Sequence, residues 1–178
     1  GGALEDPEKA RRFLDIVARH SERLAAIIDD LLLLARLESG EAVLERSSCT
    51  AITLLEGARQ ALQAKADERG VRIRVDADPA LRLNVNPSLV QQAVANLVDN
   101  AVKYSPAQSE VVLTAGRAED GRLSIRVTDH GAGIPAGHLP RLFERFYRVD
   151  KQRSREQGGT GLGLAIVREQ AHALGGEV

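Results

Sequence analysis

The chain has 178 residues, 43% apolar and 28% charged, a length and make-up suited to one soluble globular domain plus an appendage. Its formal net charge of −1 excludes bulk attraction to nucleic acid or to an anionic membrane surface. A single cysteine, Cys49, excludes an internal disulfide and fits a reducing compartment, and with aromatics at 3% the core must be built from Leu, Val, Ile and Ala. No apolar run approaches the roughly 18 residues of a membrane span, the longest being Leu31 to Ala35. Gly1-Gly2 opens no signal-peptide pattern and reads as a cloning remnant or the cut end of something longer.

Asp6-Pro7 reads as an N-cap followed by proline at the first helical position, with Glu8 where the helix dipole favours an anion. Nothing breaks the helix until Ser39, and Gly40 is a plausible stop. Its apolar positions, Leu14, Val17, Leu24, Ile28, Leu31 and Ala35, with Ser21 in the remaining slot, alternate spacings of three and four. This is a heptad seam. Phe13, Ile16, Ile27, Leu34 and Leu37 broaden it beyond a two-stranded coil, so a helical bundle is expected. A lone helix cannot bury such a stripe, and the rest of the chain is not expected to cover it, so the helix reads as a dimerisation element. His20, between Arg19 and Ser21, reads as a residue on the boundary of that bundle.

Glu41 to Cys49 reads as a linker entering a short strand at Ala42-Val43-Leu44-Glu45, and Thr50 caps a helix from Ala51 to about Arg69 that stops at Gly70. Val71, Ile73 and Val75 alternate with Arg72, Arg74 and Asp76, as in a half-buried strand. After a turn at Asp78-Pro79, Leu81, Leu83 and Val85 form another. Asn86-Pro87 or Ser88 begins a helix that Ser105-Pro106 ends. Glu110 to Gly116 and Leu123 to Asp129 pair around a turn at Glu119-Asp120-Gly121, and a last helix runs from about Gly161 to Ala173. This order predicts an α+β fold: a mixed sheet with helices on one face.

In the helix around Asn96-Leu97-Val98-Asp99-Asn100-Ala101-Val102-Lys103-Tyr104, residues Val90, Val94, Leu97 and Ala101 share the core-facing stripe, and Asn96, Asn100 and Lys103 share the opposite one. Asn inside a helix is unfavourable by roughly 0.5–0.7 kcal/mol relative to Ala. Two of them stacked above a lysine suit a metal-bound polyphosphate, or else form a solvated face. Asp129-His130-Gly131-Ala132-Gly133-Ile134 follows a strand, so the backbone can come close to a flat ligand, and the Asp129 carboxylate suits an exocyclic amino group such as adenine carries. Gly158-Gly159-Thr160-Gly161-Leu162-Gly163-Leu164 opens the last helix, where converging N–H groups suit a phosphate. It lacks the strand of a dinucleotide-binding turn and the lysine of a P-loop. Between these loops Arg141, Arg145, Arg148, Lys151, Arg153 and Arg155, set against Glu144, Asp150 and Glu156, surround Phe143 and Phe146. That segment reads as a lid.

Together, N-L-V-D-N-A-V-K-Y-S, D-H-G-A-G-I-P, F-E-R-F-Y-R-V-D and G-G-T-G-L-G-L-A-I-V resemble the N, G1, F and G2 boxes of the sensor histidine kinases, in order and at the usual separations. The helix R-L-A-A-I-I-D-D-L-L-L-L-A-R-L-E-S-G resembles the second helix of that family's dimerisation and histidine-phosphotransfer domain. The resemblance implies a two-layer ATP-binding sandwich of the gyrase, Hsp90 and mismatch-repair kind over residues 41–178, its last strands absent, preceded by a truncated dimerisation domain over 1–40. It implies that Asn100 holds the Mg²⁺ bridging the phosphates, that Asn96 lines the same row, and that Lys103 contacts phosphate while Tyr104 lies on the adenine side. Asp129 would take the adenine amino group over a floor shaped by Gly131 and Gly133, and Arg148 would reach the γ-phosphate. Gly159, Gly161 and Gly163 would wrap the phosphates, with Ile134, Thr160, Leu162 and Leu164 in the same ATP-binding set.

The implied activity is transfer of the γ-phosphoryl group of ATP to a histidine, and from there to an aspartate of a response regulator. The implied partners are a second copy through the N-terminal helix and a cognate response regulator, with no nucleic acid, in a cytoplasmic domain tied to a bacterial membrane only through segments outside these residues. Departures from the family pattern are informative. The acceptor box, His followed by an acid and Leu-Arg-Thr-Pro, is absent, and the chain stops at Gly175-Gly176-Glu177-Val178, so a piece of a longer protein is expected that does not phosphorylate itself. His130 replaces the usual Asn, Leu174 the usual His, and Asn86 a common Asp. A hydrolytic ATPase of the gyrase or Hsp90 type is the alternative enzyme, but Gln92 and Ala95 give Asn96 no neighbouring base; a non-catalytic dimerisation module is the other alternative.

Overall fold

A computed structural model describes residues 7–40, 45–149 and 159–178. Helix α1, Pro7–Glu38, leads into strand β1, Ser47–Thr50, and helix α2, Ala51–Arg69. Strands β2, Arg72–Ala77, and β3, Arg82–Val85, precede helix α3, Pro87–Tyr104. Strands β4, Glu110–Arg117, and β5, Leu123–Thr128, a 3-10 turn over Ala136–Arg141 and helix α4, Gly163–Ala173, complete the order. The Asp6 cap, the strand residues 42–44, Gly158 and the lid residues Asp150, Lys151, Arg153, Arg155 and Glu156 lie outside the described residues.

Local chemistry sets the helix ends. The Thr53 N–H donates to Thr50 Oγ1 at the start of α2, and Gly70 ends that helix in the left-handed region at φ 64°, its N–H donating to the Asp67 carbonyl. Asn86, where an acid is common, caps α3 well: its Oδ1 accepts from the Leu89 N–H at 3.0 Å, and Pro87 occupies the first turn.

Among the described residues β2, β4 and β5 form a mixed sheet, β2 parallel and β5 antiparallel to the central β4, while β1 and β3 pair antiparallel in a separate two-stranded ladder. The register aligns Val75 with Leu113 and Leu113 with Val127, so one face of the sheet is a continuous apolar row. Helices α2 and α3 pack over it through Leu54, Leu55, Ala58, Val90, Val94, Val98 and Val102. Each fully buried Leu or Val there stabilises by about 1.5–3 kcal/mol. Gly57 lies under the Gln91 side chain, whose amide would have to swing aside for a Cβ at this position. The expected α+β sandwich is therefore present.

Three expectations change in detail. Glu45 is outside any strand, and β1 begins at Ser47 because its partners, Arg82 to Val85, lie opposite Ser47–Thr50. Leu97 is only half-buried, and Val98 and Val102, both fully buried, hold the stripe assigned to it. The third concerns α1. Phe13, Leu14, Val17, Leu24 and Ile28 remain exposed, but Leu34 is 1% exposed and packs with Leu162 and Ile166 at the last helix, flanked by Ile27 and Leu33. The rest of the chain thus covers the flank of the stripe at Leu34, which the heptad pattern alone did not anticipate, while the seam residues Leu31 and Ala35 stay exposed.

Candidate functional site

The C-terminal half of α3 carries the polar row. Asn96 and Asn100, one turn apart, are half-buried, and Lys103 is 5% exposed. A lysine so enclosed is not a solvated side chain. Burial is the largest influence on it and lowers its pKa; Asp99 opposes that, and Lys65, Arg148 and Arg69 reinforce it. Lys65 pairs with Asp99, and Arg69 donates to the Lys103 carbonyl at 2.9 Å, so α2 braces this end of α3 with two cations. The Lys103 ammonium lies 5.4 Å from the centre of the Tyr104 ring, which is 42% exposed. Four cations gathered around one acid leave a positive field that an anion relieves.

Two contacts and one electrostatic influence bring the distant loops to this helix. A Cβ on Gly131 would lie 3.0 Å from the Tyr104 carbonyl oxygen and 2.8 Å from Asp129 Oδ1, so only glycine lets this loop approach the end of α3. A Cβ on Gly163 would lie 3.9 Å from Asn96 Oδ1, which places the first turn of α4 against the polar row. Arg148 of the lid segment acts electrostatically on Lys103. The four sequence motifs therefore share one locus.

Within the loop after β5, Asp129 Oδ1 accepts from the Gly131 N–H at 2.7 Å, and the side chain is exposed, so its second oxygen is open to a ligand donor. His130 turns away, its Nδ1 3.0 Å from the Glu110 carbonyl oxygen, so the substitution at this position ties the loop to β4. Gly133 adopts φ 75° in open space, and Ile134 is exposed.

Thr160 Oγ1 accepts from the Leu162 N–H at 3.2 Å, and among the described residues no side chain caps α4, so its first turn suits an anion. The helix begins at Gly163, two residues later than expected, because Leu162 is spent as the cap residue and buried against Leu34. Leu164 is half-buried in the first turn. Gly161, at φ 77°, meets the lid: the Phe146 N–H donates to its carbonyl at 2.9 Å, and a Cβ would stand 2.9 Å from the Phe146 Cα. Gly161→Ala is expected to lower the melting temperature and nucleotide affinity more than Gly133→Ala does. Both carry the left-handed backbone cost of about 1–2 kcal/mol, and only the first displaces Phe146. Thermal melts and nucleotide titrations of the two variants check it.

Helix α1 also touches the locus, which the sequence did not signal. Arg23 Nη2 donates to the Gly159 carbonyl at 3.2 Å, and Glu38 pairs with Arg145. His20 is exposed on α1. Among the described residues there is no cluster of three or more His, Cys, Asp or Glu side chains able to hold a metal.

An α+β sandwich that brings a polar helix row with an enclosed lysine and two glycine loops to one locus has the organisation of a nucleotide-binding domain. The family described as Histidine kinase-, DNA gyrase B-, and HSP90-like ATPase matches residues 85–178, more than half of the chain, and the chain belongs to that family. The His Kinase A (phospho-acceptor) domain matches residues 2–40. The sensor-like histidine kinase SenX3 of Mycolicibacterium smegmatis is 38% identical over 176 residues, covering 99% of this chain and 46% of the relative. The phosphate regulon sensor protein PhoR of Pseudomonas aeruginosa is 41% identical over 157 residues, covering 88% and 35%. The chain thus spans less than half the length of these curated relatives. Full-length ShkA, solved in complex with AMPPNP, superposes with a TM-score of 0.80 at 28% identity over 93% of this chain and 34% of that one.

Proposed function

We propose that this chain is the ATP-binding catalytic part of a sensor histidine kinase, holding Mg·ATP so that its γ-phosphoryl group passes to a histidine presented from outside these residues and then to an aspartate of a response regulator. The observation that supports it most is the enclosed Lys103, set among Lys65, Arg69 and Arg148 and beside the row of Asn96 and Asn100. In this reading Asp129 takes the adenine amino group with Gly131, Gly133, Ile134 and Tyr104 around the base. Lys103 and Arg148 neutralise the phosphates, and Gly159, Thr160, Gly161, Leu162, Gly163 and Leu164 line the tail. A Mg²⁺ ion fits the donor set: Asn100 offers one amide oxygen, and Mg²⁺ takes most of its other ligands from phosphate and water. When bound it supplies charge neutralisation between phosphates. The chain's own residues position the nucleotide and match its charge, and these two effects account for most of the catalysis in phosphoryl transfer.

In this reading residues 1–40 belong to a dimerisation domain, to which α1 contributes one helix, and 41–178 to the catalytic domain. The exposed seam of Leu14, Val17, Leu24 and Ile28 supports a homodimer through α1. No helix among the described residues is long and apolar enough to cross a membrane. We place these residues in the cytoplasm, with any membrane attachment of the whole protein made elsewhere. A hydrolytic cycle is disfavoured because Gln92, nearest in position to a water-activating base, has its Oε1 accepting from Gln170 Nε2 at 2.9 Å.

Calorimetry of the 178-residue chain with AMPPNP should show one site that weakens when Mg²⁺ is removed. With γ-labelled ATP the chain alone should stay unlabelled and release phosphate only at background. An absence of binding heat would sink the reading in favour of a scaffold module. Label on His20, or steady turnover to free phosphate, would overturn the assigned reaction.

A further inference from the structure

The lid segment from Pro135 to Val149 holds a 3-10 turn and no longer helix or strand, so its shape rests on a few specific bonds. Its two ends are joined by one pair. His138 Nδ1 lies 2.6 Å from the Tyr147 hydroxyl, their rings 6.1 Å apart and tilted by 45°. Both side chains are half-buried, whereas the rest of the 3-10 turn is exposed. The Arg141 guanidinium covers the Tyr147 ring at 4.3 Å and is itself fixed by bonds to both Glu144 carboxylate oxygens at 3.0 and 3.1 Å. Tyr147 is therefore gripped at its hydroxyl and on its ring face.

The residues on either side of Tyr147 give this grip its use. Phe146, just before, is strained at φ 62° and bound to the Gly161 carbonyl; Arg148, just after, acts on Lys103. The Tyr147 anchor, one residue away, holds the backbone of the half-buried Arg148. We infer that His138 is a positioning residue for Arg148: by binding the Tyr147 hydroxyl it fixes the backbone that carries Arg148 beside the Phe146–Gly161 bond, and so sets the preference for a nucleoside triphosphate over a diphosphate. The inference rests on the proposed reading of the site.

The test is calorimetry of the 178-residue chain with AMPPNP and with ADP, both in Mg²⁺. His138→Leu and Tyr147→Phe should each lower the AMPPNP-to-ADP affinity ratio by roughly three- to tenfold, the worth of one hydrogen bond. The double variant should lose no more than either single one. His138→Asn, whose amide takes the place of Nδ1, should keep most of the ratio, and His138→Leu should change nothing further once Arg148→Ala has been made. If His138→Leu fails to fold, Tyr147→Phe, which removes one oxygen atom, carries the test. An unchanged ratio, an equal loss for both nucleotides, or losses that add to that of Arg148→Ala would overturn the inference while leaving the site reading intact. A wild-type chain that binds neither nucleotide would overturn both.

Discussion

Asp129→Asn should weaken AMPPNP binding by about 10- to 100-fold without lowering the melting temperature. In the proposed reading the carboxylate has two duties that the substitution separates. One oxygen accepts the Gly131 N–H at 2.7 Å, and an asparagine Oδ1 does the same, so the turn after β5 survives. The other oxygen, on an exposed side chain, becomes an amide N–H₂ that faces the adenine amino group donor to donor. Losing a charge-assisted hydrogen bond costs about 1.5–3 kcal/mol, which sets the range. A guanine nucleotide, which presents an oxygen at that position, should gain relative to adenine. Competition between the two analogues measures it, and an unchanged preference would remove Asp129 from the base-binding role.

Lys103→Met should move stability and binding in opposite directions: a more stable protein that binds triphosphate at least about a hundredfold more weakly. Burial is the largest influence lowering this lysine's pKa, and Lys65, Arg148 and Arg69 add to it against the single opposing charge of Asp99. A cation with a folded-state pKa below its unfolded one holds its proton more weakly in the native state, so it subtracts stability at neutral pH. That penalty fades as pH rises through the lowered folded-state value toward the ordinary lysine range. The variant's advantage in melting temperature should therefore be greatest near neutrality and shrink in alkaline buffer. The binding loss follows from removing one partner of an enclosed ion pair, about 3 kcal/mol or more. A methionine variant that is less stable, or that binds as tightly as wild type, would show that the lysine is held for packing alone.

Both expectations trace to residues that periodicity and motif spacing had already singled out, and the limits of such patterns are physical. The period of two in Val71 to Asp76 and the three-four spacing in α1 and α3 are local properties of a chain, so element types and most ends were legible from residue order. Caps such as Thr50, Gly70 and Asn86 were legible for the same reason, since their bonds span at most four residues. Where a boundary depended on a distant partner it moved: β1 starts at Ser47 because β3 lies opposite it, and α4 starts at Gly163 because Leu162 is taken into the contact with Leu34.

The candidate site divides in the same way. Read alone, each motif left a bland alternative open, and it was the resemblance carried by the four motifs together that put Asn96, Asn100, Lys103, Asp129 and the glycines in one expected nucleotide-binding set. Only the tertiary structure decided how enclosed Lys103 is, since α2 braces that end of α3 with Lys65 and Arg69, each bonded to a residue 34 positions away. Only it showed Gly161 backed against Phe146, Gly163 against Asn96 and His138 on Tyr147. Beside the seam of α1, the flanking Leu34 is covered by Leu162 and Ile166, a contact between the two ends of the chain, whereas Leu31 and Ala35 of the seam stay exposed. Hydrophobic spacing states that a face must be buried; which surface buries it is a matter of long-range packing, and no local pattern encodes it.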